Sequence, residues 1–518
     1  MAEPSAETET IGGTGVAAAG ATVSVLQQAM ASGALTSAGL TEFYLSRIER
    51  LNPLLRAVIS VNPGAGSEAA ASDQMRVGSA ARGPLEGIPV LVKDNVAARG
   101  LPATAGSPAL LEAESGDAFL VTRLRAAGAV IIGKANMSEW ANFRSTHSTS
   151  GWSTLGGQAA NPYALDRSPS GSSSGSGVAV AAALAPLAVG TETDGSIVCP
   201  ASACGIVGLK PTLGLVSRAG IVPISSEQDT AGPMARTVAD AAALLSVLAG
   251  ADPADPATGG AAGRPGDYTM FLDSGALTGA RLGVWRGGCT GADTRTTAVL
   301  DAALARLRDQ GAEVLDPVEL PGVDDISEHE FAALLHEFKR DLNAYLGALP
   351  GRHPATLAEL IAFNSRNGQE VLSYFGQELF ERADATSGDP ADPAAQAARG
   401  AATRLSRAAL DGPLAAHHLD AIITLTANPA CLTDYVLGDH DVFHTSAPAA
   451  VAGYPAVSVP CGYVAGLPVG LSFMGSAWSE PTLIGLAHAF EQAAQPGRPP
   501  GLRQSAVPDT AGSQRYLR

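Results

Sequence analysis

Two stretches of the chain combine hydroxyls with glycines at a density that a packed core does not use. Ser168-Pro169-Ser170-Gly171-Ser172-Ser173-Ser174-Gly175-Ser176-Gly177 leads through a small apolar segment into Gly190-Thr191-Glu192-Thr193-Asp194-Gly195-Ser196-Ile197-Val198-Cys199-Pro200. Glycine permits positive φ and close backbone approach, and a serine oxygen becomes a nucleophile once a base takes its proton. The pattern points to nucleophilic catalysis, and the question becomes which residue is the base.

Histidine is the usual partner of such a serine. None of the nine histidines falls in either stretch, and the nearest, His147, lies in a polar segment. Upstream, Gly87-Ile88-Pro89-Val90-Leu91-Val92-Lys93-Asp94-Asn95 sets one lysine at the end of an apolar run. A run apolar at nearly every position predicts a strand buried on both faces, which carries Lys93 inside. Desolvation disfavours the ammonium, lowers the pKa and leaves a neutral amine that accepts a proton near pH 7. Lys93 and the two serine loops thus form a candidate triad. A rival reading of the Gly-Ser loop, a phosphate cradle, lacks the Gly-Lys-Ser/Thr ending that supplies a cation and a magnesium ligand.

These stretches, together with QDTAGPMARTVADAA from Gln228 onward, resemble the amidase signature family of serine hydrolases. ETDGSIVCP, NMSEWANFRS and GLVSRAGIVPIS are most similar to its peptide amidase branch. The resemblance runs from Thr36 to Phe490 and is densest over 87–240, the signature core. It implies an α/β fold: one large domain over 1–518, with a mixed twisted β-sheet covered by helices on both faces. It also implies amide hydrolysis through an acyl-enzyme, releasing ammonia from C-terminal peptide amides, with no metal or organic cofactor. The alternatives are an amidase of other acyl or aryl amides, and an amidase-like subunit of a tRNA-dependent amidotransferase, which would need partner chains.

Carried over residue by residue, the resemblance makes Ser196 the nucleophile, Ser172 the bridging serine after a cis peptide bond, and Lys93 the base. The backbone N–H groups of Thr193, Asp194, Gly195 and Ser196 would form the oxyanion hole, where each donor is worth about 3–4 kcal/mol when removed. Two positions depart from the wider family pattern: Asp194 stands where glycine is usual, and Val198 where arginine is usual. Aspartate tolerates left-handed backbone. Its carboxylate either caps its own turn or accepts the substrate's amide N–H. Cys199, near Ser196, reads as core packing rather than as a thiol nucleophile.

The elements that must position these residues follow from periodicity. Leu40, Phe43, Tyr44, Ile48 and Leu51 recur at helical spacing over 36–52, ended by Pro53 and followed by a strand at 57–61. Helix 119–127 precedes strand 129–132, and strand 282–285, helix 300–310 and strand 312–315 repeat the alternation of a helix-covered sheet. The longest small-apolar run, 178–189, reads as a buried helix too short to span a bilayer. A Pro/Gly-rich stretch, 251–266, after a helix at 237–249, reads as a surface loop within one domain. From 324 to 410 the chain turns helical, with Phe331, Leu334, Leu335, Phe338, Leu342, Tyr345 and Leu346 as a core stripe. In the resembling family this region covers the active site. His336, Glu337, Lys339 and Arg340 read as a solvated face, with substrate binding as the alternative, and 142–150 joins the 324–410 helices as a candidate hold on the acyl side of a peptide.

At 518 residues and 46% hydrophobic, the chain can bury a large core. Its net charge of −17 argues against nucleic acid and anionic membranes as partners. A small-molecule or peptide amide is the expected partner. The start, MAEPSAETETIGG, lacks a basic n-region and a strong apolar h-region. The cytoplasm is therefore the expected compartment, with an exported mature form as the alternative. Five cysteines, odd in number and without a CxxC, give neither a disulfide framework nor a zinc site.

Overall fold

The computed structural model describes residues 9–11, 17–78, 81–494 and 497–506. Most of the stretch 1–13, read for a leader, lies outside the described residues. Eleven strands form one sheet: β1 (Val58–Val61), β2 (Pro89–Lys93), β3 (Val130–Ala135), β4 (Leu187–Glu192), β5 (Val207–Lys210), β6 (Thr230–Ala235), β7 (Arg281–Val284), β8 (Glu313–Leu315), β9 (Ala421–Leu425), β10 (Ala456–Val464) and β11 (Leu467–Met474). Their spatial order is β1-β3-β2-β4-β6-β5-β10-β11-β9-β7-β8. β2 runs parallel to both β3 and β4, β7 runs parallel to both β8 and β9, and the pairs between these groups are antiparallel. The sheet is mixed, with β1 antiparallel to β3 at one edge and β8 parallel to β7 at the other.

Both faces are buried, as alternation along single strands shows. Ile423, Val457 and Phe473 pack into the main core, while their neighbours Ile422, Ala456 and Met474 pack into a second cluster on the opposite face. Period-2 side-chain direction then requires apolar residues at nearly every position, the pattern seen in the sequence. A third cluster lies under the helical region, where Phe338, Leu342 and Leu346 of helix Ile326–Ala348 meet Trp140, Phe143 and Phe380. The stripe read from 331 to 346 is core.

Three sequence expectations need correction. The run 178–189 is the end of a helix, a turn and the start of a strand: helix Ser174–Ala181 stops, the chain turns through Ala183 at φ 53° and Pro186, and β4 begins at Leu187. Alanine-rich apolar residues fit either element, so periodicity cannot separate them. The amphipathic helix read at 36–52 runs Ser37–Leu55, past Pro53. A proline in the last turn removes only one helical bond, and Asn52 holds the exit by exchanging two 2.8 Å bonds with the backbone of Val58. Finally, 336–340 is not a solvated face: Glu337 is buried against Arg399, and Arg340 reaches Asp341 and Ser226.

Candidate active site

Because β2 and β4 are parallel with Val92 opposite Val189, their C-terminal ends bring Lys93 and Thr191 to the same edge of the sheet. Lys93 Nζ donates to Ser172 Oγ at 2.8 Å, to Thr191 Oγ1 at 2.9 Å and to the Thr191 carbonyl at 3.1 Å. Ser172 Oγ donates to Ser196 Oγ at 3.0 Å. The three side chains picked from the sequence form one unbroken hydrogen-bonded chain. The Gly171–Ser172 peptide is cis, as the resemblance implied. A Cβ on Gly171 would meet Ser138 Oγ and, at 3.0 Å, Ser150 Oγ, so no larger residue fits there.

Lys93 and Ser172 are fully buried and Ser196 is 8% exposed, so the chain leads from the interior to the one hydroxyl that reaches solvent. Burial lowers the Lys93 pKa from its ordinary value to about 7, against the upward pull of the Glu192 and Asp229 carboxylates. Desolvation outweighs two acidic neighbours, which leaves a large neutral fraction near pH 7.

The turn carrying Ser196 is fixed from both sides. Its left-handed position is Gly195, at φ 75°, where a Cβ would meet Cys199 Sγ and Ser446 Oγ at 2.9 Å each. Asp194 does not take that role. Glu192 Oε2 accepts the N–H groups of Ile197 at 2.7 Å and Val198 at 3.1 Å. Among the described residues, the N–H groups of Asp194, Gly195 and Ser196 have no acceptor. They are the free donors beside the Ser196 hydroxyl. Asp194 Oδ1 is buried and accepts no hydrogen bond among the described residues, so the self-capping reading of this aspartate is not what the fold contains. Cys199 is buried, and desolvation with nearby Glu192 and Asp194 pushes its thiol well above the ordinary range, as expected for core packing.

Sequence reading missed the supports beneath this turn. Thr193 Oγ1 donates to Asp229 Oδ1 at 2.6 Å, and Asp229 Oδ2 accepts the N–H groups of Ile224 and Ser225. Gln228 Nε2 donates to the Thr193 carbonyl at 2.9 Å and to Glu330 Oε1 at 2.6 Å, while Gln228 Oε1 accepts from Arg399 at 2.8 Å. Arg399 in turn grips Glu337 through two bonds, and Glu337 accepts the Ser225 hydroxyl. Helices Ile326–Ala348 and Pro393–Ala416 are therefore wired to the Thr193 peptide. Burial and the Asp194 carboxylate push Glu330 up to about 8. The Gln-Asp pair was visible in the motif at 228, but nothing in sequence links it to Glu330 or Arg399.

Lys134, also missed, sits at the end of an apolar run much like that of Lys93. It binds the carbonyls of Asp94, Val96 and Pro102, and its Nζ lies 3.8 Å from the Asp94 carboxylate. It holds the segment after Lys93 in place and, among the described residues, bonds to no hydroxyl. The polar segment 142–150 is anchored from within: Arg144 is buried against Glu139 at 2.7 Å and over the Phe375 ring, and Asn142 Nδ2 donates to Ser150 Oγ at 2.9 Å. A cavity of about 320 Å³ adjoins Ser172, Thr191 and Thr193 and extends to Ile224, Arg218 and Asp341.

The profile of the Amidase family matches residues 39–484. The X-ray structure of the peptide amidase from Stenotrophomonas maltophilia superposes with a TM-score of 0.88 at 51% identity, covering 92% of this chain and 98% of that one. A probable amidase of Arabidopsis thaliana is 42% identical over 93% of this chain and 91% of its own length. One component of the glutamyl-tRNA(Gln) amidotransferase of Symbiobacterium thermophilum is 36% identical over 90% of this chain and 95% of its own length. With profile, sequence and fold in agreement along nearly its whole length, this chain belongs to the amidase signature family and is a hydrolase of amide bonds.

Proposed function

We propose that the chain hydrolyses the C-terminal carboxamide of peptides through an acyl-enzyme on Ser196. The observation that carries this reading is the continuous Lys93–Ser172–Ser196 chain, with one end buried and the other open. Hydroxyl protons rotate freely, so the same spacing passes a proton from Ser196 to Ser172 and from Ser172 to neutral Lys93. Ser196 Oγ then bonds to the carbonyl carbon, and the carbonyl electron pair moves onto oxygen, facing the N–H groups of residues 193–196. The relay returns a proton to the amide nitrogen, the C–N bond breaks, and ammonia leaves. Water adds to the ester by the reverse path, releasing the carboxylate and free Ser196.

The peptide amide as substrate is supported by the 51% identity to a solved peptide amidase and by the carboxylate oxygen of Asp194 beside the turn, which accepts no hydrogen bond among the described residues. A substrate amide N–H is the donor that oxygen lacks. The helices of 324–410 wall the site and, with 142–150, hold the acyl side. Mass spectrometry and ammonia release on a dipeptide amide, an internally bonded peptide and a long-chain acyl amide test the reading. Release of ammonia from the dipeptide amide alone supports it. Internal cleavage, or preference for the long-chain amide, overturns the peptide-amide assignment and leaves the relay standing. The 36% identity to an amidotransferase component motivates a second reading, in which the chain works only with partner chains. Inactivity of the isolated chain on every amide and ester would favour it.

A further inference from the structure

Loop 428–443 presents an apolar surface that the fold leaves uncovered. Leu432, Tyr435, Val436, Leu437 and Val442 are all exposed within eleven residues, Val436 to 82% and Leu437 to 63%. Tyr374, itself exposed, stacks on Tyr435 with ring centroids 4.5 Å apart and packs edge-on against Trp152. Isolated apolar side chains on a surface are ordinary, but a contiguous set on one loop marks a contact surface.

This loop is tied to the segments that flank the serine relay. The Ser168 N–H donates to the Cys431 carbonyl, and the Thr433 N–H to the Asp166 carbonyl, just ahead of the Ser170–Ser172 turn. Thr149 Oγ1 donates to the Asp434 carbonyl, and the Ser150 N–H lies 3.1 Å from both oxygens of Asp439. Ser150 is the residue whose Oγ bounds Gly171, next to Ser172. At its far end the loop returns through the Ala427–His444 bridge to Ser446, whose hydroxyl closes on Gly195. The loop that carries these side chains is thus bonded to the segments on both sides of the relay, at Ser150 beside Gly171 and towards Ser446 beside Gly195.

We infer that this surface binds the apolar side chains of an extended peptide whose C-terminal amide lies at Ser196, making the enzyme selective for peptide amides with apolar residues several positions before the amide. The inference rests on the peptide-amide reading above. Six extended residues span roughly 20 Å, so a hexapeptide amide carries side chains well beyond the carboxamide itself. Alternate side chains of such a peptide face one surface, so two or three of them meet the loop at once.

The test compares kcat/KM for a dipeptide amide and for two hexapeptide amides with the same last two residues, one with Leu and Phe in its first four positions and one with Ser and Gln. The expected result is a preference of about tenfold for the apolar hexapeptide, equivalent to about 1.4 kcal/mol. In the variant Val436→Ser, Leu437→Ser the ratio of the two hexapeptides falls towards one. Both side chains are exposed, and their backbone bonds to Asp434 do not involve them, so the variant keeps the fold. Equal rates on the two hexapeptides with the dipeptide amide still cleaved, or a preference that the variant retains, overturn this surface and leave the peptide-amide reading in place. No cleavage of any peptide amide overturns both.

Discussion

Lys93 meets Ser196 only through Ser172, whose hydroxyl lies 2.8 Å from the amine and 3.0 Å from the serine it links. The base is thereby kept fully buried, where its pKa is low, while the attacking serine retains an 8% exposure. A lysine long enough to touch the nucleophile directly would share that nucleophile's access to water and regain its proton. The interposed hydroxyl separates the two environments.

If the three groups act as one relay, their losses do not multiply. Ser196→Ala should abolish acyl-enzyme formation. Lys93→Ala and Ser172→Ala should each remove most of kcat, and the double variant should be scarcely worse than either. Pre-steady-state kinetics with an ester or amide giving a burst checks this, and independent multiplicative losses refute a shared proton path.

Activity should rise with pH through an apparent value near 7, because Lys93, lowered to about 7 by burial, serves only when neutral. Below that value it carries a proton and cannot accept another. The acid limb should therefore vanish from the residual activity of Lys93→Ala. A limb that stays in place belongs to another group.

An alkaline limb should follow from Glu330, pushed up to about 8 by burial and by Asp194. Its ionisation places a second negative charge beside the N–H groups meant to receive an oxyanion, with Gln228 between them. Glu330→Gln keeps the shape and removes the charge, so kcat should hold to higher pH. An unchanged profile would separate Glu330 from the site.

Much of this was readable in the chain, and what was not has a physical cause. Lys93 was legible because an apolar run that ends in lysine forces that lysine inward. The same signal stands at Lys134, whose amine is spent on the carbonyls of Asp94, Val96 and Pro102, and only three-dimensional neighbours distinguish a base from a staple. The run 178–189 defeated periodicity because alanine and valine serve a buried helix and a buried strand alike. Glu330, Glu337 and Arg399 were invisible as a group because they lie 62 to 171 residues from the partners they hold, and a charge within a helical stripe looks solvated until its partner is known.

The Arg399–Glu337 pair should matter for stability as well as position. Both side chains are largely buried, at 15% and 6% exposure. Arg399→Ala would leave the Glu337 carboxylate without its cation, at a cost of about 3–5 kcal/mol. Glu337→Gln in the Arg399→Ala background should recover part of that loss in chemical denaturation, since the stranded charge is then gone. A double variant no more stable than Arg399→Ala would place the cost elsewhere.

Asp194 offers a test in which fold and function move in opposite directions. Its Oδ1 is buried and accepts no hydrogen bond among the described residues, and an unsatisfied buried polar atom costs about 1–3 kcal/mol. A carboxylate that merely shaped its turn would be missed by the fold, yet here the left-handed position belongs to Gly195, and the backbone does not depend on the side chain. Asp194→Ala should therefore leave the melting temperature unchanged or raise it. The same change removes an acceptor from bound substrate. A hydrogen bond to a charged group is worth roughly 1.5–3 kcal/mol, so kcat/KM for a peptide amide should fall between about tenfold and a hundredfold, chiefly through KM. A small amide without a second N–H should be affected far less. Destabilisation together with equal losses on both substrates would make Asp194 a structural residue and remove it from substrate recognition.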